Sequence, residues 1–457
     1  MANYNRIYSL SAFESEIAKY PSLNDYLIFQ PGLSLLYALY GTSFDLSKYT
    51  NQIDRIGDNS VNGFIRKLKY VDGKFQMNVV LKSNKAASND NLYYEYLAGK
   101  CINEMTKYYP FFSRTFELGE YISDSAYTLF QSIKVSTTIS SPLSSYIKYL
   151  DQSNFDNLVS ESCRNAKRIN IFTQFIPIRE NLYSYFLEYK EKSTNNFNKT
   201  YQTHLTKHIA LLFMVYGCLH KLSNYFTHYD LHMENVVLYS IPNSQHIDVE
   251  AMTENGVISF KTKYLPIIID YGRSYFNCSA IETGLVNSHE LMKKVCLNDA
   301  RGSNECPKHC GNDVGYLFTG EYMPATDSFK RTGKNNFYIN RGRRNMSHDL
   351  RCLSFIKDKG MKFNQLDSSI SWIRLWKQLI NDITYQDDYD KFGMPELTSE
   401  PGEISNVSDV FESLKQIMMQ PDYTANHSSQ FVSTSSYGKL VVDFSQTMQP
   451  FQFTKYK

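Results

Sequence analysis

A strong excess of charge of one sign is missing from this sequence. Its 48 Lys and Arg residues stand against 46 Asp and Glu, a formal net charge of +2. No chain-wide basic field is therefore on offer to nucleic acid or to an acidic membrane surface. The local basic stretch KRTGKNNFYINRGRR (330–344) reads as a solvated loop. Long hydrophobic runs are missing as well. The most apolar stretch, IALLFMVYGCL (209–219), is too short to span a bilayer. The opening MANYNRIYSLSAFESEI has no basic-then-apolar signal, and Ala2 stands where myristoylation needs a glycine. FTKYK carries no prenylation box. These absences lead to the expectation of a soluble intracellular protein with no membrane and no nucleic-acid partner. The sequence carries no signature of an oligomeric state.

Cysteine is sparse and irregular. Eight residues without paired C-x-x-C knuckles do not make a disulfide framework. One cluster, Cys296, Cys306 and Cys310 with His309 and Cys278 nearby, matches no common zinc-finger spacing and reads as a Cys-bearing loop. Trp (2) and Pro (13) are few, whereas Tyr (36) and Phe (29) are many. With abundant Asn, Ile and Lys this is the mark of an A/T-biased coding sequence. It carries no chemistry. The 42% apolar and 21% charged fractions suit a globular chain long enough for one two-lobed fold or two to three domains.

The hydrophobic pattern divides the chain. Short helices are expected up to about residue 50, with SLSAFESEIAKY opening on a Ser cap. FIRKLKY (64–70) and FQMNVVLKS (75–83) are strand-like and joined by VDGK, a hairpin signal. NLYYEYLAGKCINEMTKYY follows as a helix, then TFELGEYI (115–122) and AYTLFQSI (126–133) as further strands, and NIFTQFIPI (170–178) as another. NLYSYFLEYK and HLTKHIALLFMVYGCLHKLSNYF read as helices, VVLYSI and YLPIIID as strands. SHDLRCLSFIKD is expected to begin a helix with Ser347 as its cap. SWIRLWKQLIND and VSDVFESLKQIMM are helical, and GKLVVDF is a strand. The order predicts an α+β chain with a sheet lobe ahead of a helical lobe. Its expected parts are a helical extension (1–54), a sheet lobe (55–175, insertion about 134–169) and a helical lobe (176–457, insertions about 242–262 and 277–345).

The stretch HYDLHMENVVLY (228–239) admits two chemistries. His228, Asp230 and His232 alternate as metal ligands could, but no H-E-x-x-H or second His-rich turn accompanies them. Alternatively, Asp230 and Asn235 stand five apart, as a phosphotransfer base and a metal-holding amide. Phosphoryl transfer also needs a cation for the phosphates, a carboxylate to hold it, and a second oxygen ligand for magnesium. Lys82 at the end of FQMNVVLK, Glu95 thirteen residues later on a helix, and Asp270 in IIIDYG supply these in order. Asp270, charged after three isoleucines, is hard to explain as packing.

HYDLHMEN resembles the catalytic loop H-R-D-L-x-x-x-N of protein kinases, and DYG resembles their D-F-G turn. The resemblance extends to VVLK with Glu95, to the hinge-like TQFIPI and to SHDLRCL. It covers about 55–420, and its details are similar to kinase-like proteins of large DNA viruses, which would put the chain in the host cytoplasm or virion. It implies a bilobal kinase-like fold binding ATP and Mg2+. Asp230 would be the base, with His232 and Asn235 beside it; Asn235 and Asp270 would hold the metal. Lys82, Glu95, Gly57, Gly63, Gln174 and Ile176 would meet ATP, and His228, Gly272 and Asp349 would support the loops. The acceptor implied is a protein Ser/Thr hydroxyl. Departures are plain: IGDNSVNGFI has two glycines instead of three, Tyr229 replaces Arg, His232 replaces Lys, and no A-P-E follows. They keep open a pseudokinase scaffold and a small-molecule kinase of the H-x-D-L-H-x-x-N type.

Overall fold

In the hairpin of β2 (Gly63–Asp72) and β3 (Phe75–Asn84), side chains alternate between a buried and a solvated face. The computed structural model describes residues 15–31, 44–57, 63–73, 75–85, 92–151, 168–191, 197–277, 344–358, 366–385, 400–445 and 448–456, with short strand segments between 310 and 339. Phe64, Leu68 and Tyr70 of β2 and Met77, Val79 and Leu81 of β3 are buried. Gly73 makes the expected turn with φ 59°. Around the hairpin, an antiparallel sheet runs in the order β5-β1-β2-β3-β7-β4-β6. Its other strands are β1 (Tyr49–Arg55), β4 (Thr115–Tyr121), β5 (Thr137–Thr138), β6 (Ile147–Tyr149) and β7 (Ile169–Gln174). The sheet thus begins inside the stretch read as a helical extension, and the expected insertion at 134–169 adds both edge strands.

Three helices flank this sheet: α1 (Leu23–Ile28), α2 (Leu92–Met105) and α3 (Asp124–Ser132). The expected Ser-capped opening of the first helix lies largely on residues 1–14, outside the described residues. Asn24 of α1 exchanges hydrogen bonds with the backbone of Asn78 in β3, both at 2.8 Å. On α2, Asn103 clamps Thr115 of β4 by accepting from its N–H at 3.0 Å and donating to its carbonyl at 2.6 Å. A Cβ at Gly99 would lie 1.9 Å from Thr115 Oγ1, so glycine permits that contact. Helix α3 is a correction, because AYTLFQSI reads as a strand. Ser123 caps it by accepting from Ala126 N, and Ala126, Tyr127 and Phe130 form its buried face. The chemistry of its start outweighs the alternation. Buried Arg66 of β2 closes its other end, donating to the carbonyls of Phe130 and Gln131 at 2.8 and 3.0 Å.

Helices dominate the second part: α4 (Leu182–Glu191), α5 (Phe197–Leu222), α6 (Arg351–Asp358), α7 (Ser371–Asp382), α8 (Val407–Met418) and α9 (Pro421–Ser429). Every residue of α5 from Ile209 to Leu219 except Gly217 is a buried hydrophobic residue, the pattern of a helix packed on all sides. Ser347 makes no capping bond ahead of α6. Instead Asn345 Oδ1 accepts from Ser347 N and His348 N. The chain also has β8 (Ile178–Asn181), β9 (Phe226–Thr227), β10 (Val236–Ser240), β11 (His246–Thr253), β12 (Gly256–Thr262), β13 (Tyr264–Ile268) and β14 (Tyr275–Phe276). The polar stretch at 242–262 is no featureless insertion. It folds as β11 and β12, and the late strand Ser436–Asp443 pairs in parallel with β11. The class is α+β. Among the described residues, no helix is long and apolar enough to cross a membrane.

Candidate functional site

The segment between α5 and β10 forms the centre of the site. β10 and β13 pair antiparallel with Val236 opposite Ile268, and Ile269 N donates to Asn235 O at 3.0 Å. That register brings Asn235, at the end of one segment, beside Ile269 and hence Asp270. From the sheet side, β3 delivers Lys82. Its ammonium donates to both oxygens of Glu95 at 2.8 Å and to Asp270 Oδ1 at 2.7 Å. The two carboxylates come from α2 and from the end of β13, so one lysine ties three elements together. Tyr94, next to Glu95, adds a bond from its hydroxyl to Ser274 O at 2.6 Å.

The charges in this cluster support one another. Burial works against the Lys82 ammonium, yet Asp270 and Glu95 outweigh it and hold the proton more tightly than usual. Burial likewise works against an ionised Asp270, and the charge and hydrogen bond of Lys82, with Arg273 and His228 behind, hold its carboxyl well below the usual range. Asp270 keeps 39% of its side chain exposed. No hydrogen bond engages Asp270 Oδ2 or Asn235 Oδ1 among the described residues. An amide oxygen and a carboxylate are the hard ligands that Mg2+ accepts when phosphates and water complete its octahedron. A protein-only cage is a different matter: among the described residues no group of three or more His, Cys, Asp or Glu is placed to hold a metal ion.

Asp349 fixes the loop from below. Its Oδ2 accepts from His228 N at 2.8 Å and its Oδ1 from Tyr229 N at 3.0 Å. Burial lifts its carboxyl to about 6, against the pull of His228 and the two backbone bonds. Tyr229 and Asp270 are both left-handed, with φ 61° and 69°, a conformation that costs a non-glycine residue about 1–3 kcal/mol. His228 braces the same turn. Its Nε2 bonds Ile269 O at 2.9 Å, so it carries the proton there, and Nδ1 accepts from Asp230 N at 3.2 Å. Both ring nitrogens are thus engaged within the turn, and neither is free to bind a metal.

Asp230 itself is buried and doubly paired, with Arg273 at 2.8 Å on Oδ2 and Arg351 at 2.6 Å on Oδ1. Its carbonyl accepts from Asn235 Nδ2 at 2.9 Å. A carboxylate has about four lone-pair sites, so two remain for a hydroxyl. These arginines were missed in the sequence. Their signal was their position, each next to a quoted motif, in DYGR and SHDLR. His232 packs beside Asp230, and burial lowers its pKa against the opposing pull of Asp230. It is therefore uncharged near neutral pH.

The remaining expected residues are less tightly drawn in. Gly63 is needed inside the sheet, because a Cβ there would lie 2.4 Å from Ser83 O. Gly57 is left-handed at the end of β1, and residues 58–62 between them lie outside the described residues. Gln174 spends its Oε1 on Arg114, accepting from its N and Nη1 at 3.2 Å, and Ile176 is buried. Gly272 is not among the left-handed glycines; the sharp turn is made by Asp270. Cys278, Cys296, Cys306, His309 and the Cys310 side chain lie outside the described residues, as does most of 330–344. Cys218 and Cys352 are buried free thiols, whereas Cys101 is disulfide-bonded. No protein-family model matches this chain, and no curated protein matches it.

Proposed function

We propose that the chain is an ATP- and Mg2+-dependent phosphotransferase with a bilobal protein-kinase-like fold, acting on a protein Ser/Thr hydroxyl. One observation carries the reading: Lys82 bonds both Glu95 and Asp270, while Asp230 and Asn235 share one braced loop beside Asp270. In this reading Lys82, directed by Glu95, takes the non-transferred phosphates, and Asn235 and Asp270 hold the metal. Mg2+, when bound, neutralises charge on the phosphate oxygens. Asp230 orients the acceptor hydroxyl and accepts its proton as the new P–O bond forms and the bond to the β-phosphate oxygen breaks. The arginines on Asp230 fix its carboxylate in place.

A radiolabelled ATP assay with a generic protein substrate tests this. Asp230→Ala is expected to lower label transfer about 10²- to 10⁴-fold, the usual weight of a general base. Equal labelling by wild type and variant sinks the assignment. The double arginine pairing of Asp230 favours one second reading, a pseudokinase scaffold that binds ATP without transfer. Mg2+-dependent ATP binding with no turnover would identify it. ATP consumption without label in protein would instead indicate a small-molecule acceptor.

A further inference from the structure

Away from this site, a cavity of about 270 Å³ opens between α4, α5, α9 and the β12–β13 turn. It shares no residue with the Lys82 cluster. Lys207 projects from α5 on the same face as His204, one turn away. Lys261 and Lys263, on either side of Thr262, both line the cavity. Thr262 holds that turn, its hydroxyl donating to Tyr264 O at 2.6 Å and accepting from Tyr264 N at 3.1 Å. His427 of α9 locks the wall by donating from Nε2 to Lys261 O at 2.7 Å.

The charge balance here is one-sided. Lys261 has a weak partner in Asp248 at 3.8 Å. Among the described residues, Lys207 and Lys263 have no ion pair. Glu188 is the single carboxylate among the lining residues, beside three lysines. Burial lowers the Lys207 pKa, and the charge of Lys263 adds to the effect. Burial also takes His427 down to about 4, with Lys207 pressing the same way, so the histidine adds no charge at neutral pH. Three cations in a partly desolvated hollow, two of them without an ion pair among the described residues, favour an anion there. Tyr185 and Tyr264, edge to face at 5.3 Å, line the same hollow and could cover an organic portion. Its volume, about that of nine waters, suits a small molecule.

We infer that this cavity is a second, separate site for a small soluble phosphate-bearing molecule, held by Lys207, Lys261 and Lys263. Isothermal titration with inorganic phosphate and pyrophosphate tests it, in wild type and in Lys207→Met/Lys263→Met. Saturable binding weakened at least about 10-fold in the double variant is expected, since two of three charge-assisted contacts go. Pyrophosphate binding that persists in the double variant and is lost in Lys82→Met belongs to the site described above, which separates the two. No saturable binding in wild type, or equal affinity in the double variant, overturns the inference. So does sedimentation with phosphoinositide-doped phosphatidylcholine vesicles when free phosphate and pyrophosphate fail to bind. Melting temperature gives an independent reading: Lys263→Gln should raise it by relieving repulsion, and phosphate should raise it in wild type more than in that variant. A lowered melting temperature for Lys263→Gln in phosphate-free buffer counts against an uncompensated cation there.

Discussion

Lys82 serves two carboxylates with one ammonium, and Glu95 has little exposure of its own, 4%. Lys82→Met would leave Glu95 buried beside Asp270 with no cation between them. Removing one partner of a fully buried pair costs about 3–5 kcal/mol. Lys82 and Asp270 keep 21% and 39% side-chain exposure, so solvent screening brings the expected loss to about 2 kcal/mol. Urea denaturation at neutral pH measures it, and an unshifted midpoint would mean that Glu95 is satisfied elsewhere. At this scale much of the site was legible. Lys82, Glu95, Asp270 and Asp349 stand in short islands where a charged residue interrupts an apolar pattern, and such interruptions show in one dimension. Arg273 and Arg351 were not legible, because an arginine after a motif looks like surface charge until the fold turns it inward. Nor was the left-handed turn at Asp270, since the eye goes to the neighbouring glycine.

Helix α5 presents Gly217 to Phe444, whose ring carbons would lie 2.8 Å from an added Cβ. Alanine ordinarily favours a helix over glycine by about 1 kcal/mol. Here Phe444 is enclosed by Phe213, Phe411 and Tyr109, with ring centres 5.6–5.7 Å away, and it cannot move aside. Gly217→Ala is therefore expected to destabilise by about 1–3 kcal/mol, the cost of overpacking. A raised thermal midpoint would show that the ring gives way. Elements proved legible where both period and ends agreed, as in β2, β3, α7 and α8. AYTLFQSI misled because its alternation hid an i, i+4 pair, Ala126 and Phe130, behind a Ser cap. At 242–262 the charged residues masked a period of two: Ile247, Val249 and Ala251 are buried, with Asp248 and Glu250 between them.

Over the whole molecule, several buried groups bind protons differently in the folded and unfolded chain. Burial lowers His208 to about 3 from 6.5, and neither ring nitrogen has a hydrogen-bond partner among the described residues. A base with a depressed folded pKa contributes stability above its unfolded value and loses it as pH falls from 6.5. By pH 4 that loss is about 3 kcal/mol. Two carboxyls run the other way: burial raises Asp349 to about 6 and Glu117 to about 7. Their protonated forms suit the fold, so they add stability as pH falls through those values. The total profile therefore mixes signs, and the difference between wild type and His208→Phe isolates the histidine. Urea midpoints of the two should diverge in favour of the variant as pH drops from 7 to 4; parallel curves refute the assignment. A balance of this kind depends on which residues end up dry, and only the three-dimensional packing decides that.

The parallel pairing of β11 with Ser436–Asp443 joins Ile247 to Gly438, the widest separation in sequence of any strand pairing among the described residues. During synthesis, β12 can zip onto β11 as soon as both have left the ribosome. The opposite edge of β11 must then wait until nearly two hundred further residues are made. Through that interval a row of amides and carbonyls, backed by Val249 and Ala251, stands open to any passing strand. Slow translation or a premature stop before residue 436 should thus show itself first as aggregation and chaperone dependence.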